Sequence, residues 1–222
     1  GHVTSLDLPE ALGAILPSKE WKKKSRKTSW YTGDSLNMSI GQGFFVATPL
    51  QLATAMAVIA NRGEWIAPRM LKGTKIINDA GAEVLEKPDF SGGKLPPADV
   101  VLNKDKHWND IIKGMRDVMH SKRGTARRAG ANSSYEIAGK TGTAQVVGIK
   151  QDAVYDADKL AEIHRDHALF VAFAPVEDPK IAIAVIVENG GGGSSTAAPI
   201  ARKILDAYLL GTDPLVEAKD DK

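Results

Sequence analysis

Four consecutive residues, Lys140-Thr141-Gly142-Thr143, have side chains suited to holding a carboxylate. The Lys140 ammonium supplies positive charge, and the hydroxyls of Thr141 and Thr143 can share the same carboxylate by hydrogen bonding. Gly142 has no side chain, so the backbone of a bound peptide could approach and pair like an added strand. Taken alone, these residues also fit an ordinary strand with a single glycine bulge.

Three predicted strands would position this tetrapeptide. Runs of apolar and β-branched residues bounded by turn residues predict strands at about Tyr135–Val147, Ala168–Phe173 and Ile181–Val187. Pro175 and Pro179 fall between the last two, and the order favours an antiparallel meander. The tetrapeptide lies in the first of the three strands.

Predicted helices accompany these strands. Thr48 and Gln51 form a capping box before a helix from Pro49 to about Asn61, and Gly63 ends it. A second helix is predicted from about Asp105 to Ser121, and a last one is capped by Thr196 and ends before Gly211. The apolar stripes predicted for these two helices contain Trp108, Ile111, Ile112, Met115, Val118 and Met119, and Ile200, Ile204, Leu205, Tyr208 and Leu209.

The remaining segments carry weaker signals. Residues 1–45 have proline and glycine but no sustained apolar period, and they are predicted to be irregular. Residues 69–85 are predicted to form short strands broken at Asn78 and Gly81. A loop rich in glycine and proline follows, from Pro88 to Pro97.

Composition excludes several function classes. The chain has 222 residues, 43% of them hydrophobic and 25% charged, which fits one globular domain or somewhat more. A formal charge of +2 is too small for a nucleic-acid binder, and the basic run Lys19–Lys27 is predicted to be a solvated loop or helix face. Because cysteine is absent, disulfides and thiolate metal sites are excluded. No apolar run approaches the roughly 20 residues that span a bilayer.

Five segments together point to one family. They are Ile40–Gly43, Ala47–Gln51, Arg123–Ala126, Ala138–Gln145 and Arg165–Pro175, in that order. The chain closely resembles class B penicillin-binding proteins from about Leu8 to Gly211, and within that family it is most similar to the penicillin-binding protein 2 members. The K-T-G string is itself a known signature of penicillin-binding proteins and class A β-lactamases.

This resemblance implies a fold. It is an α+β fold of the penicillin-binding and serine β-lactamase-like type, in which an antiparallel sheet has helices on both faces and the K-T-G strand lines the cleft. Residues 1–211 would be the C-terminal portion of the transpeptidase domain, and residues 212–222 a polar tail. The resemblance further implies that Ile181–Val187 pairs with a strand upstream of Gly1, without which an apolar edge is exposed.

The resemblance also implies a reaction. A serine attacks the penultimate D-Ala carbonyl of a peptidoglycan stem peptide, D-Ala leaves, and an amine from a neighbouring stem resolves the acyl-enzyme. Lys140 would support electrostatics and proton traffic, while the Thr141 and Thr143 hydroxyls would bind the terminal carboxylate of a stem peptide or a β-lactam antibiotic. The Thr143 N–H would be an oxyanion-hole donor. Lys140 and Thr143 are thus the predicted catalytic residues, and Lys140, Thr141, Gly142 and Thr143 the predicted substrate-binding residues.

Partners and location are likewise implied by the family. No cofactor and no nucleic acid are expected. Scaffold proteins and glycan polymerases of the elongation machinery are the expected protein partners. The expected location is the periplasmic face of the bacterial inner membrane, reached through an anchor outside this chain.

The family's serine is expected outside this chain. Ser91-Gly92-Gly93-Lys94 matches S-x-x-K as a string, but two glycines disfavour the helix that would bring Ser and Lys one turn apart. Ser35-Leu36-Asn37 matches S-x-N, yet it precedes that string and so reverses the family order. Both true motifs are expected upstream of Gly1, and this chain alone is predicted to be inactive.

Several alternatives stay open or are set aside. A carboxypeptidase or β-lactamase-like hydrolase would share Lys140–Thr143, and a non-catalytic peptide-binding module is a further possibility. His164 and His167 form an H-x-x-H pair, but no second paired cluster exists, so no metal is predicted. His167 is instead expected to orient a loop beside the site. The glycines of Asn189–Ser195 are predicted to form a turn, and residues 148–166 a solvated connection.

Overall fold

The computed structural model describes residues 6, 14–78, 80–86, 99–146 and 160–212. The chain divides into two compact units, residues 1–54 with 65–99, and residues 55–64 with 100–222. The predicted loop from Pro88 to Pro97, the Ser91–Lys94 string, residues 148–159 of the connection and the tail after Thr212 lie outside the described residues. Among the helices described, none combines the length and the apolar character that crossing a bilayer requires.

Two short helices lie in the part of the first unit predicted to be irregular. They are α1, Lys19–Arg26, and α2, Thr32–Ser39. The Ser18 hydroxyl caps α1 by accepting from the Trp21 N–H at 3.0 Å, and the Asp34 carboxylate accepts from the Tyr31 N–H at 2.7 Å where α2 begins. The prediction for residues 1–45 was therefore wrong here, because side-chain caps and not an apolar period define these helices.

One lysine of the basic run is buried. Lys22 is only 6% exposed, and its ammonium lies 2.5 Å from the Asp34 carboxylate. The same ammonium lies 4.7 Å from the centre of the Tyr31 ring and 5.7 Å from that of Phe44. The solvated face predicted for Lys19–Lys27 is thus correct for Lys23 and Lys24 but wrong for Lys22, because a carboxylate and two aromatic faces replace its water.

The remaining elements of this unit follow the sequence pattern. β1, Thr74–Ile77, and β2, Glu83–Glu86, form an antiparallel hairpin, as the breaks at Asn78 and Gly81 predicted. α3, Pro49–Ala60, begins in the first unit, and its residues from 55 onwards belong to the second. Its capping box is present: the Thr48 N–H donates to Gln51 Oε1 at 2.8 Å, and the Gln51 N–H donates to Thr48 Oγ1 at 3.2 Å.

The second unit is built on a three-stranded antiparallel sheet with the order β3-β4-β5. The strands are β3, Ala138–Ala144, β4, His167–Ala174, and β5, Ile181–Val187, which confirms the predicted meander. β3 is shorter than the predicted Tyr135–Val147, and Val147 lies outside the described residues. Within the described sheet, β3 and β5 are the two edges.

Helices cover both faces of this sheet. On one face, α4, Asp105–His120, packs Met115 against Phe173 of β4 and Ala138 of β3. On the other face, α6, Ala198–Leu210, packs against Phe170 and Ala172. A short helix, α5, Arg127–Gly130, lies between α4 and β3 in the chain. The predicted α+β architecture, an antiparallel sheet flanked by helices, is confirmed.

The buried stripe of the last helix agrees with the prediction only in part, at Leu205 and Leu209. Ala198, Ala201 and Leu205 are fully buried, whereas Ile204 is 42% exposed and Tyr208 is 64% exposed. Alanine allows the helix axis to lie close to the sheet, so the smaller residues face inward. Thr196 is also not the N-cap: it belongs to a π-helical turn, Gly193–Ala197, and its hydroxyl donates to the Gly190 carbonyl at 2.8 Å.

Gly139 provides a test of how tightly β3 packs on β4. A Cβ at Gly139 would lie 2.5 Å from Cζ of the buried Phe170 ring. We expect Gly139→Ala to lower the free energy of unfolding by about 1–3 kcal/mol, because the ring must leave its preferred rotamer. Urea denaturation measures this change.

The matched control is Gly114→Ala on α4, where a Cβ meets nothing within 4 Å. That change should be neutral or should stabilise the protein by about 0.5–1 kcal/mol, because alanine is the better helix former. Equal stability of the two variants would contradict the close packing of Gly139 against the Phe170 ring.

Candidate functional site

The predicted substrate-binding residues lie on β3, at an edge of the described sheet. Strand alternation places Thr141 and Thr143 on one face, about 7 Å apart along the strand, and Lys140 and Gly142 on the other. In an antiparallel pair, alternate residues direct their N–H and C=O groups away from the partner strand. β3 therefore presents backbone donors and acceptors along its outer side, where no other described strand pairs with it.

The ammonium group of Lys140 lies at this outer side of β3. Its side chain is exposed, and its Nζ donates a hydrogen bond to the Thr141 carbonyl oxygen at 2.7 Å. An ammonium group has three N–H donors, so two remain for a ligand. Although Lys140 and Thr141 start on opposite faces, the flexible lysine stem thus brings the positive charge next to Thr141. Thr143, the other predicted hydroxyl, is exposed one position beyond Gly142.

A third hydroxyl lies beside this group and was not predicted as a site residue. Thr125 Oγ1 is 3.3 Å from Thr141 Oγ1, and either atom can be the donor. Thr125 belongs to Arg123–Ala126, one of the five segments that carry the family resemblance, and that was the only signal in the sequence that could have identified it. Only folding brings these two hydroxyls together, because 16 positions separate them.

The end of α4 fixes the position of Thr125. The Ala126 N–H donates to the Val118 carbonyl at 3.0 Å, and the Gly124 N–H donates to the Ser121 carbonyl at 3.0 Å. A Cβ on Gly124 would collide with the carbonyl oxygens of Asp117 and Val118, so only glycine fits there. Thr125 is therefore held between two residues that are both anchored to the last turn of the helix.

His120 supports the start of the same strand. Its Nε2 accepts the backbone N–H of Ile137 at 2.9 Å, one residue before β3 begins. Ile137 is fully buried, so its N–H would lose its partner if Nε2 were protonated. Burial is the main cause that lowers the pKa of His120; the charges of Arg116 and Arg202 lower it further, and that of Glu136 opposes them.

A glycine-rich loop after β5 supports the site from another direction. His167 Nδ1 accepts the Asn189 N–H at 2.8 Å, Asn189 Nδ2 donates to the Arg165 carbonyl at 3.0 Å, and the Gly191 N–H donates to the Asp166 carbonyl at 2.8 Å. These contacts agree with the expectation that His167 orients a loop.

The loop ends against the tetrapeptide itself. A Cβ on Gly193 would collide with the carbonyl oxygens of Gly142 and Leu169. These two residues are paired in the register of β3 and β4. Gly142 thus already has one close backbone neighbour from within the chain. This contact ties the turn before α6 to the centre of the Lys140–Thr143 segment.

The other candidate motifs have structural roles or lie elsewhere. His164 ends a short 3₁₀ helix and His167 begins β4, so the two imidazoles do not share one helical turn. Among the described residues, no group of three or more His, Asp or Glu side chains could hold a metal ion. Ser35 lies in α2, and its hydroxyl accepts from Trp30 Nε1 at 2.8 Å.

Comparison with known proteins identifies what the chain resembles. The family model of the penicillin binding protein transpeptidase domain matches residues 1–206. Peptidoglycan D,D-transpeptidase MrdA of Haemophilus influenzae is 40% identical over 217 residues, which cover 98% of this chain and 32% of that protein. The chain therefore spans about a third of the length of this curated relative.

Solved structures of PBP2 from two bacteria also match this chain. Pseudomonas aeruginosa PBP2, in complex with WCK 5153, matches with a TM-score of 0.73 and 44% identity, over 89% of this chain and 37% of that one. Helicobacter pylori PBP2, in complex with MreC, matches with a TM-score of 0.69 and 32% identity, over 95% of this chain and 34% of that one.

The lowered pKa of His120 predicts that the fold loses stability in acid. Unfolding returns its pKa to the ordinary value of about 6.5, so the unfolded chain binds the proton more tightly than the folded one. The contribution of neutral His120 to stability is therefore complete above about pH 6.5 and is lost as the pH falls through the lower folded pKa. We expect the melting temperature to be lower at about pH 5.5 than at about pH 8, with the change starting below about pH 6.5.

His120→Gln should make this pH dependence shallower, because the glutamine carbonyl can accept the Ile137 N–H without titrating. His107→Gln, an exposed change on the same helix, is the control and should leave the slope unchanged. Parallel curves for the unsubstituted protein and His120→Gln would show that His120 does not couple pH to stability.

Proposed function

This chain belongs to the penicillin-binding protein transpeptidase family, and we propose that it supplies the strand that binds the acyl-donor peptide in a peptidoglycan D,D-transpeptidase. We assign the activity to a longer protein that contains this chain, because the chain covers only 32% of its relative from Haemophilus influenzae. The serine nucleophile and its partner lysine are proposed to come from the part outside this chain.

The observation that carries the proposal is the position of Lys140–Thr143 on a strand whose outer side pairs with no other described strand. A stem peptide can add to such an edge by main-chain hydrogen bonds, and its side chains and carboxylate can then be selected by the strand's own side chains. The Lys140 ammonium and the two threonine hydroxyls are the groups on β3 that suit a carboxylate.

The proposed reaction has two steps. The serine Oγ attacks the penultimate D-Ala carbonyl, the amide bond breaks, and the terminal D-Ala leaves with the proton that the serine gives up. The amine of a second stem peptide then attacks the acyl ester, forms the new amide and returns the serine hydroxyl. We assign one oxyanion-hole donor to the backbone N–H of Thr143.

Each predicted residue has a separate task in this proposal. Lys140 provides the positive charge that attracts the terminal carboxylate and favours proton transfer near the serine. Thr141 and Thr143 bind the carboxylate by hydrogen bonds, and Gly142, which has no side chain, lets the backbone of the bound peptide approach the strand. A β-lactam carries a carboxylate beside a reactive amide and would occupy the same edge as the stem peptide.

Partners and location are proposed on the same basis. The Helicobacter pylori relative was solved in complex with MreC, which supports a protein partner for the full-length protein. A glycan polymerase partner, a role in cell-wall elongation and a location on the periplasmic face of the inner membrane rest on the family resemblance. We propose that the membrane anchor lies outside this chain.

Covalent labelling of the full-length protein by a fluorescent penicillin tests the site. Lys140→Ala and Thr143→Val should each lower the second-order acylation constant by about 10- to 100-fold, because each removes a hydrogen bond to a charged group worth about 1.5–3 kcal/mol. Melting temperatures should stay close to that of the unsubstituted protein, because both side chains are exposed.

Ser91→Ala is the control for the other S-x-x-K string and should label normally. Loss of labelling in Ser91→Ala, or normal labelling in Lys140→Ala, would contradict the proposed site. Incubation with stem peptides separates transfer from hydrolysis: cross-linked muropeptides support the transpeptidase, and free D-Ala without cross-links would indicate a carboxypeptidase.

A further inference from the structure

Thr125 lies at the candidate site without a role in the proposed reaction. Its Oγ1 is 3.3 Å from Thr141 Oγ1, and its side chain is exposed, so solvent or a ligand can reach this pair of hydroxyls. The residue immediately after it, Ala126, is almost completely buried, and the residue before it is a glycine packed against the end of α4. The backbone on both sides of Thr125 is thus fixed although its side chain faces outward.

The chemistry of two adjacent hydroxyls sets their directions. A threonine hydroxyl has a single hydrogen and two acceptor lone pairs, and the hydrogen rotates to suit its partners. When a carboxylate binds, the hydroxyl that serves it must be the donor, because an ionised carboxylate only accepts. If Thr141 donates to the carboxylate, its oxygen is free to accept, and the Thr125 hydroxyl at 3.3 Å can be the donor to it.

The backbone of Thr141 is held as well. Its carbonyl oxygen accepts from Lys140 Nζ at 2.7 Å, and its place in the sheet is fixed by pairing with the buried Phe170. With the backbone set in this way, the side-chain rotamer and the hydroxyl hydrogen of Thr141 can still rotate. A donor at Thr125 restricts both rotations and strengthens the bond that Thr141 makes outward, because hydrogen bonds in a chain polarise one another.

We propose that Thr125 is a positioning residue that donates to Thr141 Oγ1 and so directs the Thr141 hydroxyl hydrogen towards the carboxylate of the acyl donor. This role rests on the proposed function and adds to it a residue from a different segment of the chain. Because Thr125 acts through Thr141, its contribution exists only while Thr141 has a hydroxyl. It strengthens carboxylate binding and leaves the chemical step to other groups.

The test is acylation of the full-length protein by a penicillin that carries a free carboxylate, with binding separated from the acylation step. Thr125→Val keeps the shape of the side chain and removes the donor. We expect it to raise the dissociation constant of the encounter complex by about 3- to 10-fold and to change the limiting acylation rate by less than about twofold, since one hydrogen bond to the bound ligand is weakened. Thr125→Ser, which keeps the hydroxyl, should restore normal binding.

A double-mutant cycle decides whether Thr125 acts through Thr141. In a Thr141→Val background, Thr125→Val should have no further effect on the dissociation constant. An equal loss in both backgrounds would overturn the proposal, because Thr125 would then contact the ligand directly. Unchanged binding in Thr125→Val, or failure of Thr125→Ser to restore it, would overturn it as well.

Two further measurements separate a loss of the role of Thr125 from unfolding and from failure of the proposed function. Melting temperatures identify a variant that loses binding by unfolding, and Thr125→Ala replaces Thr125→Val if that change lowers the melting temperature. If the unsubstituted full-length protein is not acylated, the proposed function fails and the role of Thr125 fails with it. If the protein is acylated normally and Thr125→Val matches it, only the role of Thr125 is overturned.

Discussion

The pairing of β3 with β4 is the constraint on which the candidate site depends. Its register sets Gly142 opposite Leu169 and Thr143 opposite Ala168, and this places Thr141 and Thr143 on one face of the sheet. Because side chains alternate along a strand, a slip of one residue would send both hydroxyls to the opposite face. The chemistry proposed for Lys140–Thr143 therefore requires that register and no other.

The register is held by contacts that tolerate little change in size. The Phe170 ring occupies the space where Gly139 would otherwise carry a Cβ, and Gly193 packs where a methyl group would meet two carbonyl oxygens. His120 binds the Ile137 N–H just before the strand. These supports come from β4, from the turn before α6 and from α4, and no other described strand pairs with the outer side of β3.

Local signals predicted much of this fold, and the failures have physical causes. Pro49 with the Thr48–Gln51 capping box located α3, and the uninterrupted apolar run Ile181–Val187 located β5 to the residue. α1 and α2 were missed because short polar helices depend on caps. The stripe of α6 was predicted correctly at Leu205 but wrongly at Ile204 and Tyr208, because close packing on the sheet favoured alanine over isoleucine.

The tetrapeptide was predicted as the site from sequence and stays a prediction, whereas the family match confirms the predicted family. The contacts of Thr125, His120 and Gly193 join residues far apart in the chain, so no local pattern could indicate them.

The two edges of the described sheet differ in a way that bears on where a ligand can bind. Exposed strand edges attract other strands, and proteins protect them with charged side chains and short strands. β3 carries Lys140 and two threonines, which is typical of an edge that meets solvent or a polar ligand. β5 has seven apolar residues and no charge, so it lacks the charged side chains that protect an exposed edge. The further strand that the family resemblance implies beside β5 would suit this composition, and it stays a prediction. The stem peptide that we propose as the ligand carries a carboxylate, and of these two edges only β3 has an ammonium group and hydroxyls that could receive it.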